Sequence, residues 1–317
     1  MRALLIIAVF CVSLLGAKDL RVFGMSPPIT ALLEVLYPQG IIGLNYKPYP
    51  EDLPYMPKNA STLPVLGGIM QGNPASFEAL VALKPDIIFF AKGTAPEIMK
   101  PYNKLGIKTI EVETWDLEKV DEAIEQMGVA LGIQERAKRF AEVVRANKKF
   151  LEQKNAQVTK RPKIYFALGE GLSTSCAKEG EEDLAYKIGG VNAISCSDFS
   201  NSSSFVNVNL ETLALKDPDI IFVREIGLYK RFLQNPPKQW QILSAVKNKK
   251  LYYAPSTPSN WLLKPPNVMQ TIGRIWAFAK VQPELVSDAQ AQKIAQDFFL
   301  EFLSPLSDEE FKRIEGK

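Results

Sequence analysis

The stretch Phe77-Glu78-Ala79-Leu80-Val81-Ala82-Leu83-Lys84-Pro85-Asp86-Ile87-Ile88-Phe89 returns, in character if not letter for letter, as Leu210-Glu211-Thr212-Leu213-Ala214-Leu215-Lys216-Asp217-Pro218-Asp219-Ile220-Ile221-Phe222. Each copy carries a glutamate at the same spacing before a Pro-Asp dipeptide. Each reads as a short amphipathic helix stopped by proline, which then delivers the chain into a β-branched and aromatic run of the kind found in buried parallel strands. That is the helix-to-strand half of a βαβ unit. Two such units this far apart predict an α/β protein with two similar Rossmann-like lobes and a ligand cleft between them.

Between the copies the apolar spacing turns helical. Val120, Ile124, Met127, Leu131, Phe140, Val143, Val144, Phe150 and Leu151 fall on one side, with charges on the other. Gly128 and Gly132 mark a break, so Gln134 to Asn155 reads as one long helix, and Pro162 ends the stretch. The expected organisation is an N-terminal α/β lobe over 18–132, a connecting long helix over 133–160 and a C-terminal α/β lobe with closing helices over 161–317. A stiff connector predicts a small closure rather than a wide hinge. Ile41-Ile42-Gly43-Leu44 reads as a further strand, and the proline-rich, aromatic run from Asn45 to Pro57 as an irregular loop.

A length of 317 residues, 46% of them hydrophobic, suffices for two medium cores. The net charge of +3 is spread without long basic runs, which argues against nucleic acid as a partner. Met1-Arg2, the apolar run Ala3 to Leu15 and the small residues Gly16-Ala17 form a signal peptide over 1–17, cut after about Ala17, and the run is too short to span a membrane comfortably. Cys11 follows bulky Phe10, which disfavours lipid attachment. In an exported protein Cys176 and Cys196 are expected to pair as a disulfide, worth about 3 kcal/mol for a loop of about 20 residues.

The sequence contains no histidine, which removes the commonest general base and a principal zinc ligand. No Gly-x-Ser-x-Gly elbow, P-loop or Rossmann glycine fingerprint occurs, so no enzyme is expected; an exported hydrolase on a two-lobed scaffold is the distant alternative. Ligands of α/β units sit beyond the carboxyl ends of strands. That rule nominates Met25, Ser26, Tyr46, Gln71, Asn73, Lys92, Ser173, Arg224, Trp261 and Lys264 for ligand binding. Lys92 and Arg224 each follow an Ile-Ile-Phe strand and predict an anionic ligand, while Tyr46 and Trp261 offer faces for stacking on a flat chelator.

The phrases Val22-Phe23-Gly24-Met25-Ser26-Pro27, the two repeats, Gly189-Gly190-Val191-Asn192-Ala193 and Trp261-Leu262-Leu263-Lys264-Pro265-Pro266 together resemble the substrate-binding proteins of ABC importers for metal chelates. That family carries ferric siderophores, haem, cobalamin and related complexes, with two α/β lobes joined by one long helix. The resemblance implies a periplasmic, monomeric receptor whose cargo is an anionic metal chelate, a ferric siderophore or a related iron or nickel complex. Cobalamin, haem or an oxyanion such as molybdate is the alternative cargo. It implies that Glu78 and Glu211 dock against arginines of an inner-membrane permease. The metal would arrive inside its chelator, leaving no intrinsic cofactor and no metal-ligating side chain.

Overall fold

The structure is a computed structural model that describes residues 19–68, 75–174, 176, 181–196, 199, 206–263 and 265–317. The expected signal segment and the candidates Gln71, Asn73 and Lys264 lie outside the described residues. Strand β1 (Val22–Gly24) leads into α1 (Pro27–Leu36), and the first repeat supplies α2 (Phe77–Ala82) and β2 (Ile87–Ala91). Helix α3 (Pro96–Lys104), β3 (Lys108–Val112) and α4 (Val120–Leu131) complete the first lobe around a parallel sheet of order β1-β2-β3. Among the described residues, Ile41 makes a single parallel bridge to Val22 of that sheet and Leu44 one to Val65 outside it, so the expected strand there is a pair of isolated contacts.

Gly132, at φ 72°, ends α4 in the left-handed conformation that glycine adopts freely, and the long helix α5 (Gln134–Asn155) follows as the periodicity predicts. The second lobe runs β4 (Lys163–Ala167), β5 (Ser173–Thr174), α6 (Glu181–Lys187), β6 (Val191–Asn192), β7 (Val206–Asn207), α7 (Leu210–Lys216) and β8 (Ile220–Val223). It continues through α8 (Ile226–Gln234), α9 (Ser244–Lys247), β9 (Leu251–Tyr253), α10 (Gln270–Val281), α11 (Asp288–Phe302) and α12 (Asp308–Ile314). Its main sheet is parallel, in the order β6-β4-β8-β9, and β5 pairs antiparallel with β7. Among the described residues no helix is long and apolar enough to cross a membrane.

The repeat has a mechanical reason. Asp86 accepts the main-chain N–H of Arg21 at 2.7 Å and returns its own N–H to the Arg21 carbonyl at 2.8 Å. Asp219 does the same with Lys163, at 2.7 and 2.9 Å. The side chains of those partners complete the clamp. Arg21 donates to the Leu83 carbonyl at 3.0 and 2.8 Å, and Lys163 donates to the carbonyl of Lys216, the matching position. Lys84 and Asp217 turn the chain at φ 49° and 42°, a left-handed step that costs a non-glycine residue about 1–2 kcal/mol. The cost is borne in both copies because the turn drops each strand beside its neighbour in register.

One continuous apolar cluster runs through both lobes. It joins Val22, Ile87 and Phe89 to Ile164, Phe166 and Phe222 through residues of α4, α5, α10 and α11. Two polar ties reinforce it along the connecting helix. Arg136 caps the end of α1, donating to the carbonyls of Val35 and Leu36 at 2.7 and 3.1 Å. At the other end, Glu118 of the first lobe meets Lys148 of α5 at 2.8 Å, Lys187 of α6 at 2.6 Å and Arg274 of α10 at 3.3 Å. Burial alone would raise the Glu118 carboxyl, but hydrogen bonds from Lys148 and Lys187 win and hold it down near about 2.

Removing either aspartate clamp should destabilise its lobe. Asp86→Ala and Asp219→Ala are each expected to cost about 1–2 kcal/mol in urea denaturation, with the asparagine variants losing less because they keep an acceptor. The two losses should add, since the clamps share no partner.

Candidate functional site

The parallel sheets bring the nominated residues to the same kind of place, the carboxyl ends of their strands. The end of β1 is fixed by Asn45, whose amide donates to the carbonyls of Gly24 and Gly67 at 2.9 Å each, while Thr30 donates to the Asn45 side-chain oxygen at 2.6 Å. Ser26 follows directly. It starts α1, yet its hydroxyl makes no capping bond, and at 2% exposure its oxygen has no hydrogen-bond partner among the described residues. A buried hydroxyl left unpaired costs about 1–3 kcal/mol, so it marks a place where a ligand atom or a water would be welcome. Met25 beside it is equally buried and belongs to the core of the first lobe.

Lys92 follows β2 and is exposed; its N–H is tied to the Val112 carbonyl at 2.9 Å. Arg224 follows β8, half-buried, with its N–H on the Ala167 carbonyl at 3.1 Å. Each cation therefore has a fixed main chain at a strand end and a side chain with access to solvent. Ser173 lies in β5, half-buried, opposite Asn207. Tyr46 is half-buried, its phenol pushed up by burial and by the nearby Glu34.

Two expectations are corrected. Trp261 is fully buried, at 0% exposure, with its indole N–H donating to the Thr257 carbonyl at 2.8 Å and its ring against Phe299 and Phe311. Its main chain lies so close to Gly273 that a Cβ there would sit 1.7 Å from the Trp261 carbonyl oxygen. Trp261 is thus a packing residue of the second lobe and offers no face to a ligand. Cys176 and Cys196 do not form the expected bridge: Cys176 is buried and Cys196 half-buried, and their sulfurs do not meet in the narrow geometry a disulfide requires.

The strand-end rule also nominates Thr174, while Thr114 and Glu225 escaped it. Thr114 beyond β3, Thr174 of β5 and Glu225 beyond β8 each carry a buried side-chain oxygen with no hydrogen-bond partner among the described residues. Thr114 carries no motif, and only its place after a strand could have found it. Among the described residues, no three acidic or cysteine side chains converge to hold a metal ion.

Glu78 and Glu211 sit away from these strand ends, each exposed in the first turn of its helix. Their helices are capped alike: Ser76 accepts the Ala79 N–H and Asn209 accepts the Thr212 N–H. Ser76 also donates to Glu78 at 2.9 Å, and with the glutamate's own N–H it lowers that carboxyl below the usual range. Both glutamates are therefore solvent-facing anions in equivalent local frames.

A family model described as periplasmic binding protein matches residues 44–258, more than half of the chain. The high-affinity heme uptake system protein IsdE of Staphylococcus aureus (strain Newman) is 26% identical over 211 residues, 64% of this chain and 70% of that protein. The structure of an ABC transporter solute binding protein from Sulfurospirillum deleyianum superposes with a TM-score of 0.82 at 28% identity, covering 94% of each chain. The molybdate periplasmic binding protein MolA of Haemophilus influenzae shares the fold, with a TM-score of 0.69 at 19% identity over 89% of this chain and 92% of that one. With its duplicated α/β lobes, its strand-end polar groups and this match, the chain belongs to the periplasmic binding protein family of ABC importers, a family of exported small-molecule receptors rather than enzymes.

Proposed function

We propose that this chain, freed of its signal peptide after about Ala17, works as a periplasmic monomer that captures an anionic metal chelate and hands it to its permease through Glu78 and Glu211. The cargo in this reading is a ferric siderophore or a related iron or nickel complex, with the metal already enclosed by its chelator. The observation that carries the receptor role is the matched pair of exposed glutamates, each at the second position of a capped helix. Rim charges arranged this way set orientation and association rate more than affinity, which suits a partner that must bind and release in every cycle.

Lys92 and Arg224 support an anionic cargo as charge-assisted donors at strand ends. The start of α1 favours a chelate over a naked oxyanion, because Pro27 and Pro28 remove two of the main-chain donors that a helix N-terminus would lend to an anion. Haem is the second reading, supported by the likeness to the haem uptake protein; cobalamin and molybdate are further alternatives.

Titration with ferric catecholates, a nickel-histidine complex, haem, cobalamin and molybdate separates these cargoes. Trp115, 41% exposed just beyond β3, should report binding by fluorescence, while Trp261 should stay silent. The ferric catecholate is expected to bind most tightly, and Lys92→Glu with Arg224→Glu should weaken it at least about tenfold. Tight binding of molybdate without response to any chelate would replace the chelate by an oxyanion.

Charge reversal tests the docking role separately. Glu78→Lys with Glu211→Lys should abolish uptake in cells while leaving cargo affinity within about twofold. Unchanged uptake ends the docking assignment.

A further inference from the structure

A cavity of about 460 Å³ opens between the end of α1, the turn 55–59 and the end of α11, and it shares no lining residue with the strand-end site. That volume is in the range of small-molecule sites. Its walls are apolar and held in place. Tyr55 stands edge-on to Phe299 at 5.3 Å between ring centres, and Phe302 packs on Phe140 at 4.7 Å and on Phe298 at 5.4 Å. Met56 lines the same space, its N–H on the Leu53 carbonyl at 3.3 Å.

One acid is built into this lining. Glu34, in the last turn of α1, is 6% exposed. Among the described residues no cation, hydroxyl or N–H answers its carboxyl; what acts on it is burial and a second buried acid, Asp52, at 4% exposure. The other charged residue of the lining, Lys58, is exposed and forms no ion pair with Glu34. The helix ends add to the same polarity. Both α1 and α11 finish at the cavity, neither carries a basic residue in its last turn, and a helix C-terminus bears roughly half a negative charge. Arg136 shows what those ends attract, donating to the carbonyls of Val35, Leu36 and Phe302 at 2.7, 3.1 and 3.5 Å. It answers the carbonyls and leaves the Glu34 carboxyl to the cavity.

We propose that this cavity binds a small organic cation, an amine or amidine with an apolar body, whose charge is met by Glu34 and whose body packs against Tyr55, Met56 and Phe302. A carboxylate inside an apolar cavity is unfavourable alone and favourable once a cation of matching hydrogen-bond geometry lies against it. The two aromatic walls suit the same ligand, since a ring face attracts a cation and its edges accommodate apolar carbon. An anionic or neutral guest gains neither contact. The site lies apart from the strand ends, so it would be filled alongside the cargo rather than instead of it.

The empty cavity keeps its acid neutral. Burial, with Asp52 adding to it, pushes Glu34 up to about 8. A cation bound near neutral pH therefore displaces the carboxyl proton into solvent, and the carboxylate that remains pairs with the ligand. Affinity rises with pH for as long as the ligand keeps its own charge. Of the other groups about Glu34, Asp52 is pushed up to about 7 by burial and gains charge in the same sense, the Tyr46 phenol is pushed up and stays neutral, and Lys58 stays charged on the rim.

The site needs nothing from the identity of the cargo, so it stands or falls independently of the chelate reading. The test compares benzamidine, cationic throughout, with its neutral isostere benzamide on cargo-free protein, by calorimetry and by NMR of methionine methyl groups labelled with carbon-13. At about pH 8.5 benzamidine should bind at least about tenfold more tightly than benzamide and shift the Met56 methyl signal. Its affinity should fall at least about tenfold on going to about pH 6. Glu34→Gln keeps the shape of the side chain and should erase both the preference and the pH dependence. Equal binding of the two probes, a Met56 signal that does not move, a flat pH profile, or a Glu34→Gln protein that still prefers benzamidine would each overturn the site. The first three are read on the wild-type protein, so poor folding of the variant would not shelter the proposal.

Discussion

Two aspartates decide where everything else can go. Asp86 and Asp219 each grip the first peptide of the neighbouring strand with both a side-chain and a main-chain bond. Parallel strands tolerate no half-slip when both faces are buried, because a shift by one residue exchanges the two faces of the strand. The clamp therefore sets β2 against β1 and β8 against β4. It also fixes where α2 and α7 emerge, since Lys84 and Asp217 turn the chain directly from helix to clamp. Strand ends and glutamate-bearing helices are thereby placed by the same few atoms, once in each lobe.

This explains why so much of the architecture was legible. A helix stopped by Pro-Asp before an aliphatic strand is a local signal, and its repetition reports two lobes without any knowledge of contacts. The long helix was legible for the same reason, from its apolar stripe and the Gly132 stop. The site was less so. Trp261 in a proline-rich loop looks like a ligand platform, and only the notch at Gly273, distant in sequence, reveals that the ring is packed inward. The pairing of Cys176 with Cys196 likewise depended on an approach of two segments that no spacing encodes.

One signal was present and passed over. From Pro28 to Leu36 every residue of α1 is buried, and Glu34 is the sole acid among them. A lone carboxyl in a buried helix must be neutralised by a cation, a proton or a ligand. Its partner Asp52 lies in an irregular loop, so no periodicity could have joined the two. Glu118 illustrates the opposite case, an acid whose three basic partners come from three separate helices and whose charge is retained.

The tethering of α5 at both ends constrains how the molecule can move. With Arg136 gripping the end of α1 and Lys148 gripping Glu118, the helix cannot swing at either terminus without breaking a bond to the first lobe. The remaining freedom is torsion about its own axis, which slides the rims past one another more than it separates them. A receptor of this kind meets its solute with the recognition surface nearly assembled. Its capture rate is then governed by diffusion and surface charge, and if Glu78 and Glu211 dock as proposed, a slight rotation between them is the sign of occupancy that the importer would read.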